Sequence, residues 1–273
     1  MKYVRRITVI IFAMIVAIWI GSEFLFQQNV DQVNPVIESG QSEIKMSIDE
    51  GEEGLKRGLR AHDNLDGDIT DDILVANQSK FIEKGKTEVE FLVFDSSNNV
   101  ASYSRTVKYI DYESPKFQLS APLIYHTNDP LVLLDRLSAV DCMEGDITDQ
   151  MKISSSEIDT SKVGTYYVGV EVKNHFDDRV YLDLPVNIVE ESDDAPKISL
   201  TKYYITVQSD DEIIPENYIS KVKLSDGTIY GSEVVNYEST VNQSVPGVYQ
   251  ILYQCTDANG KTGYTSLTVE VRE

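Results

Sequence analysis

"GTYYVGVEVKNHFDDRVYLDLPVNIV", Gly164 to Val189, decides the fold. Tyr166, Val168, Val170 and Val172 recur at every second residue, the period of a strand with one buried face. "NHFDD" supplies turn-forming residues, and a second alternating run follows it, so the stretch reads as a β-hairpin. Val, Ile, Tyr and Leu dominate both arms, as a half-buried pleated surface prefers.

The same arrangement occurs three times. "KGKTEVEFLVFDSSNN" from Lys84 and "PGVYQILYQCTDANGK" from Pro246 repeat the glycine, the alternation and the turn. Gly85, Gly164 and Gly247 stand 79 and 83 residues apart. Pro35, Pro115 and Pro196, each ahead of a strand-like run, stand 80 and 81 apart. Helical periodicity is scarce after Phe26; "GEEGLKRGLR" from Gly51 and "EIIPENYIS" from Glu212 are ambiguous. Units of about 80 residues with many short strands point to small β-sandwiches. The expectation is an all-β chain of three tandem Ig-like sandwich domains, residues 35–110, 115–190 and 196–273, the third divergent. The Cys-Trp-Cys signature of antibody domains is absent, because the single tryptophan, Trp19, lies near the N-terminus. Cys142 and Cys255 fall at non-equivalent places and are both expected free, Cys255 as a small core residue.

"AHDNLDGDITDD", Ala61 to Asp72, is the densest acidic stretch, and its core recurs 78 residues later in "VDCMEGDITDQ". Three chemistries compete for it. A turn needs only Asp or Asn to accept backbone N–H groups and Gly to take a positive φ, with Ile69 entering the next strand buried. A calcium loop would use Asp63, Asp66, Asp68 and Asp71 as hard oxygen donors. A catalytic carboxylate pair would need apolar walls to separate two pKa values. The second copy has Cys142 and Met143 where the first has Asn64 and Leu65, which removes a ligand, and the third keeps only "SDGTIYG". The turn is therefore preferred, with calcium retained as the alternative in the first unit. Otherwise no cofactor is expected. No paired histidines, P-loop, C-x-x-C or G-x-S-x-G occurs. Tyr203, Tyr204, Tyr109 and Tyr112 are read as core or joint-packing residues before stacking platforms for a ligand.

"DNLDGDIT" at Asp63, "DTSKVGTY" at Asp159 and "TDANGK" at Thr256 together resemble the Ig-like repeat domain of exported Gram-positive surface proteins, a type also found in some pesticidal crystal proteins. No single unit carries all three motifs. The resemblance spans Pro35 to Glu273 and implies a β-sandwich and a surface location, without implying an activity.

The N-terminus adds a second element. "MKYVRR" is basic, and "ITVIIFAMIVAIWIG", Ile7 to Gly21, carries no charge. Extended to Phe26 the apolar run reaches the ~20 residues of a membrane span. Residues 1–6 are thus expected to be a cytoplasmic tail, 7–26 a transmembrane signal-anchor and 27–34 a linker, with a cleaved signal peptide as the alternative reading of the apolar run. The positive flank puts the N-terminus in the cytoplasm and the repeats outside a plasma membrane crossed once. The net charge of −21 excludes a nucleic-acid surface, which needs clustered Lys and Arg. The expected function is non-enzymatic: a binding or adhesion module, or a spacer, in the cell envelope, with a protein or polysaccharide ligand at the cell surface as a partner. The alternative is an enzyme, or enzyme subunit, acting on envelope glycans through the acidic loop of the first domain.

Overall fold

The computed structural model describes residues 2–28, 31–190, 192 and 194–272. They form two compact units, Met1–Asp111 and Tyr112–Glu273.

The first unit opens with α1 (Lys2–Gln28). Its apolar side chains are exposed on every face, including Ile7, Ile10, Phe12, Ile15, Ile18 and Trp19. Side chains are described over Ile7–Ser22, a shorter stretch than a span requires, and among the described residues no helix is long and apolar enough to cross a membrane.

Seven strands follow: β1 (Val36–Ser39), β2 (Glu43–Met46), β3 (Leu59–Asp63), β4 (Gly67–Asp68), β5 (Leu74–Gln78), β6 (Lys86–Phe94) and β7 (Val100–Tyr109). One sheet has the order β1-β3-β4, the other β2-β7-β6-β5. All neighbours are antiparallel except β2 and β7, which run parallel. The first segment of the sandwich is thereby divided between the sheets, and β2 covers the far edge of β7. The period-two pattern is realised on β6, where Val89, Phe91 and Val93 are fully buried. Ile37, Leu59, Ala61, Ile69 and Ile73 of the same repeat are buried as well. "GEEGLKRGLR" supplies α2 (Gly51–Lys56), which follows a 3-10 turn, Ile48–Glu50, closed by a Ser47–Glu50 capping box.

One residue breaks the pattern. Arg105 on β7 is 2% exposed. Its Nη2 donates to the Leu55 carbonyl at the end of α2 and its guanidinium lies 5.4 Å from the Phe91 ring centroid. Nε and Nη1 have no partner, and desolvation pushes its pKa down.

The second unit holds the second and third repeats, each with the same seven strands. The second has β8 (Lys116–Leu119), β9 (Ile124–His126), β10 (Leu137–Asp141), β11 (Gly145–Asp146), β12 (Lys152–Ser156), β13 (Gly164–Lys173) and β14 (Arg179–Val189). The third has β15 (Lys197–Leu200), β16 (Tyr204–Gln208), β17 (Ile219–Lys223), β18 (Ile229–Tyr230), β19 (Asn236–Ser239), β20 (Gly247–Thr256) and β21 (Thr262–Arg272). Their sheets run β8-β10-β11 with β9-β14-β13-β12, and β15-β17-β18 with β16-β21-β20-β19, β9 and β16 again being the parallel members. The hairpin Gly164–Val189 is β13–β14, paired without a bulge from Gly164↔Ile188 to Lys173↔Arg179. Ladder register equates Arg105 with Leu184 and Leu267, both fully buried, so the arginine belongs to the first repeat alone.

Within the second unit the two sandwiches share a junction. Tyr204 and Val248 of the third repeat pack on the core of the second. The side-chain amides of Asn187 and Gln250, 2% and 6% exposed, bond reciprocally: Asn187 Nδ2 to Gln250 Oε1 at 2.7 Å, and Gln250 Nε2 to Asn187 Oδ1 at 3.2 Å. Tyr204 is a joint-packing residue with its hydroxyl donating to Glu270, and Tyr109 is a core residue bonded to Gln78. Cys142 and Cys255 are both free, Cys255 buried among the core residues of the third repeat.

Candidate functional site

The acidic motif builds the β3–β4 turn and the short 3-10 helix after it. Gly67 sits at φ 77° and Gly145 at φ 76°, where a Cβ is strained. The aspartate after each glycine takes the amide of the following threonine, Asp68 Oδ1 from Thr70 at 3.0 Å and Asp146 Oδ1 from Thr148 at 2.9 Å. The same threonine's side-chain hydroxyl first, and its amide next, hold each carboxyl below the usual aspartate range. Each threonine hydroxyl accepts the amide of the residue facing it, Ala61 or Ala139. The acid before each glycine reaches the neighbouring hairpin turn: Asp66 Oδ2 accepts from the Ser96 amide at 2.7 Å and Glu144 Oε1 from the His175 amide at 2.6 Å. Asp-Ile-Thr and its preceding acid are thus spent largely on backbone donors.

Asp63 is placed differently. It ends β3 and is 6% exposed. Oδ2 accepts the amides of Leu65, at 2.7 Å, and Asp66, at 3.1 Å. The Leu65 bond is the main cause that holds its carboxyl below the usual range. Oδ1 is buried without a partner. Beside it stand Asp95, in the turn after β6, and Asp31, ahead of β1, with 6% and 8% exposure. One carboxylate oxygen from each of the three lies within 4.8 Å of the others. Asp95 Oδ1 accepts the amides of Ser97 and Asn99, and Oδ2 the Asn99 side-chain amide at 2.6 Å. Asp31 Oδ1 accepts the Val33 amide at 2.9 Å, and its carbonyl accepts Asn99 Nδ2. Asp31 Oδ2 is buried without a partner.

Of the four residues expected as calcium donors, the structure brings Asp63 into this group. Asp66 and Asp68 point their bonded oxygens at Ser96 and Thr70, and Asp71 lies in the exposed 3-10 helix. Asp31 and Asp95 are missed by reading the acidic loop alone. Asp95 was legible as the turn residue of "DSSNN" and Asp31 as part of the linker; nothing local marks them as neighbours of Asp63.

The second repeat closes the same end differently. Asp141 takes the amides of Met143 and Glu144 on Oδ1, as Asp63 does on Oδ2. Its Oδ2 accepts Asn174 Nδ2 at 3.0 Å, and Asn174 occupies the turn position of Asp95. Asn174 Nδ2 also donates to the Tyr112 hydroxyl at 2.8 Å, which donates to Asp178 at 2.7 Å. Burial next to Asp178 drives the Tyr112 phenol upward, keeping it a donor. In the third repeat the ladder places Leu224 where Asp63 stands, leaving Asp257 as the acid of that end.

The chain is similar to a pesticidal crystal protein. It is 28% identical over 221 residues to Cry22Aa of Bacillus thuringiensis, covering 78% of this chain and 29% of that protein. An uncharacterized 81.3 kDa protein of Acholeplasma phage L2 is 26% identical over 143 residues, covering 51% of this chain and 19% of that one. The chain therefore spans less than a third of these relatives. No family model matches. Among solved structures, the M60 catalytic domain with two CBM51 domains of ZmpB from Clostridium perfringens aligns at TM-score 0.25 and 11% identity, over 89% of this chain and 31% of that one. Drosophila N-cadherin EC1-3 aligns at TM-score 0.28 and 13% identity, over 72% and 80%. Such scores carry no argument about fold or function. The likeness to Cry22Aa over most of the chain fits β-sandwich repeat domains.

Proposed function

We propose that this chain is a membrane-anchored, non-enzymatic module of the cell envelope whose Ig-like repeats are held outside the cell to bind a surface ligand or to act as a spacer. Its chief support is the threefold use of one seven-strand sandwich, in which the repeated motif is spent on turn bonds. A protein or polysaccharide is the ligand class. Anchoring rests on α1, whose 27 residues extend about 40 Å at 1.5 Å per residue. Lys2, Arg5 and Arg6 precede an apolar run exposed on all sides, the pattern of a helix that seeks a lipid environment.

Two measurements test this. Protease added to intact cells should degrade the repeats while the chain stays in the membrane pellet, and removal of residues 1–26 should release it. Purified protein should bind envelope material without turning it over. Release of sugar or peptide products would refute the non-enzymatic reading, and repeats protected from external protease would refute the orientation.

A further inference from the structure

We propose that the first repeat binds one calcium ion between Asp31, Asp63 and Asp95, and that the ion ties the segment following α1 to the sandwich. Three buried carboxylates converge there, and among the described residues no ion pair reaches them. Asp31 Oδ2 and Asp63 Oδ1 are shut off from solvent and have no hydrogen-bond partner. Buried polar atoms are almost always satisfied, so an orphaned pair within a group of like charges calls for a positive occupant.

Size fits the hard cations. Two oxygens bound to one calcium at about 2.4 Å can be at most about 4.8 Å apart, and the three carboxylate oxygens lie within 4.8 Å of one another. Zinc favours nitrogen and sulfur, which this group lacks. Magnesium demands a near-ideal octahedron and keeps its waters, which suits a buried all-carboxylate cage poorly.

The second repeat shows what closure without a cation takes. The same end there uses one carboxylate, Asp141, with Asn174 as donor and the Tyr112 hydroxyl beyond it, and both carboxylate oxygens of Asp141 are bonded. The first repeat has carboxylates, Asp63 and Asp95, at the places of Asp141 and Asn174, adds Asp31 beside them, and has no such donor between Asp31 and Asp63. A shared proton is the other neutraliser available. It would leave the group more negative than a divalent ion does.

The test uses the full chain in a non-ionic detergent, compared with Asp95→Asn, the residue found in the second repeat. The chain has 45 acidic residues against 24 basic ones and will take up calcium diffusely. The readout is therefore the difference between wild type and variant in calorimetric titrations with calcium and with magnesium. Wild type should show one extra calcium site, with a Kd on the order of 0.1–1 mM as in extracellular modules, and Asp95→Asn should weaken it at least about tenfold. The melting curve supplies a crossed second readout. In chelator Asp95→Asn should melt above wild type, because it removes a repelling charge and adds a donor. In calcium at roughly a hundred times the Kd the order should reverse. A variant that melts below wild type in both conditions, or a wild type with no extra site, overturns the proposal. So does wild-type stabilisation by lowered pH and not by calcium, which would assign the place to a proton.

Discussion

The Asn187–Gln250 pair allows a quantitative test of how the second and third repeats are joined. Each amide presents a donor and an acceptor to the other, and Asn187 Oδ1 also accepts the Thr165 hydroxyl at 2.8 Å. Removing one partner strands the other: Asn187→Leu leaves Gln250 Oε1 and Nε2 buried without bonds, and Gln250→Leu leaves Asn187 Nδ2. A buried group so orphaned costs about 1–3 kcal/mol, whereas replacing both partners by apolar groups is close to neutral. Each single change should therefore cost about 2 kcal/mol, and Asn187→Leu with Gln250→Leu about 1 kcal/mol. The coupling is then about 3 kcal/mol, the upper end for side chains in contact. In a unit of this size 1 kcal/mol moves Tm by about 2–4 °C, so each single variant should lower the transition of the second unit by roughly 4–8 °C. Differential scanning calorimetry of the four proteins completes the cycle. Single variants should also widen or split that transition as the repeats begin to melt separately. Additive single effects, or shifts below about 1 °C, would show that water satisfies these amides and that the junction is not closed.

Three further outcomes follow from the described contacts. Arg105→Leu, which installs the residue of the other two repeats, should leave the first repeat as stable as wild type or up to about 3 kcal/mol more stable in urea unfolding; a loss above about 2 kcal/mol would mean that the Leu55 and Phe91 contacts outweigh the desolvation. Gly263→Ala should cost at least about 3 kcal/mol or prevent folding of the third repeat, because a Cβ there would meet the Pro196 carbonyl oxygen at 1.7 Å; a soluble, wild-type-like melting curve would contradict that approach. Asp159 is held at about 2 by the Ser161 hydroxyl and by Lys162. A depressed carboxylate stabilises above its unfolded value of about 3.9 and loses that stabilisation as pH falls through its folded value. Asp159→Asn should therefore flatten Tm against pH between about pH 4 and 2 and leave the slope above pH 5 unchanged.

Much of the fold was legible because strand alternation is local. Val89, Phe91 and Val93 announce a buried face, and Gly67 with Asp68, Ile69 and Thr70 announces a turn, from neighbouring letters alone. The parallel strands were not: β2, β9 and β16 have three to five residues each, too few for a period to emerge. Arg105 was hidden because a charged residue in a polar run looks exposed until the ladder sets it opposite Val89. The carboxylate group was the least legible. Asp31, Asp63 and Asp95 lie 32 residues apart at each step, and only the closure of the sandwich assembles them. The acidic loop drew attention to Asp63 for its company of Asp66, Asp68 and Asp71. Its chemistry depends instead on a linker residue and on a turn in another hairpin.

Parallel pairing of the first and last segments has a mechanical consequence. Within each repeat, tension at the two chain ends pulls β2 against β7, β9 against β14, or β16 against β21 along their length. Such a load falls on every rung of the ladder together and not on one rung after another. The rungs number four in the first repeat, three in the second and five in the third. A stretched chain would thus find its weakest fastening in the second repeat, at Asn187 to Val189, and the middle rung's neighbour Asn187 is the residue whose amide is clasped by Gln250. The clasp from the third repeat thus sits on the shortest of the three parallel ladders.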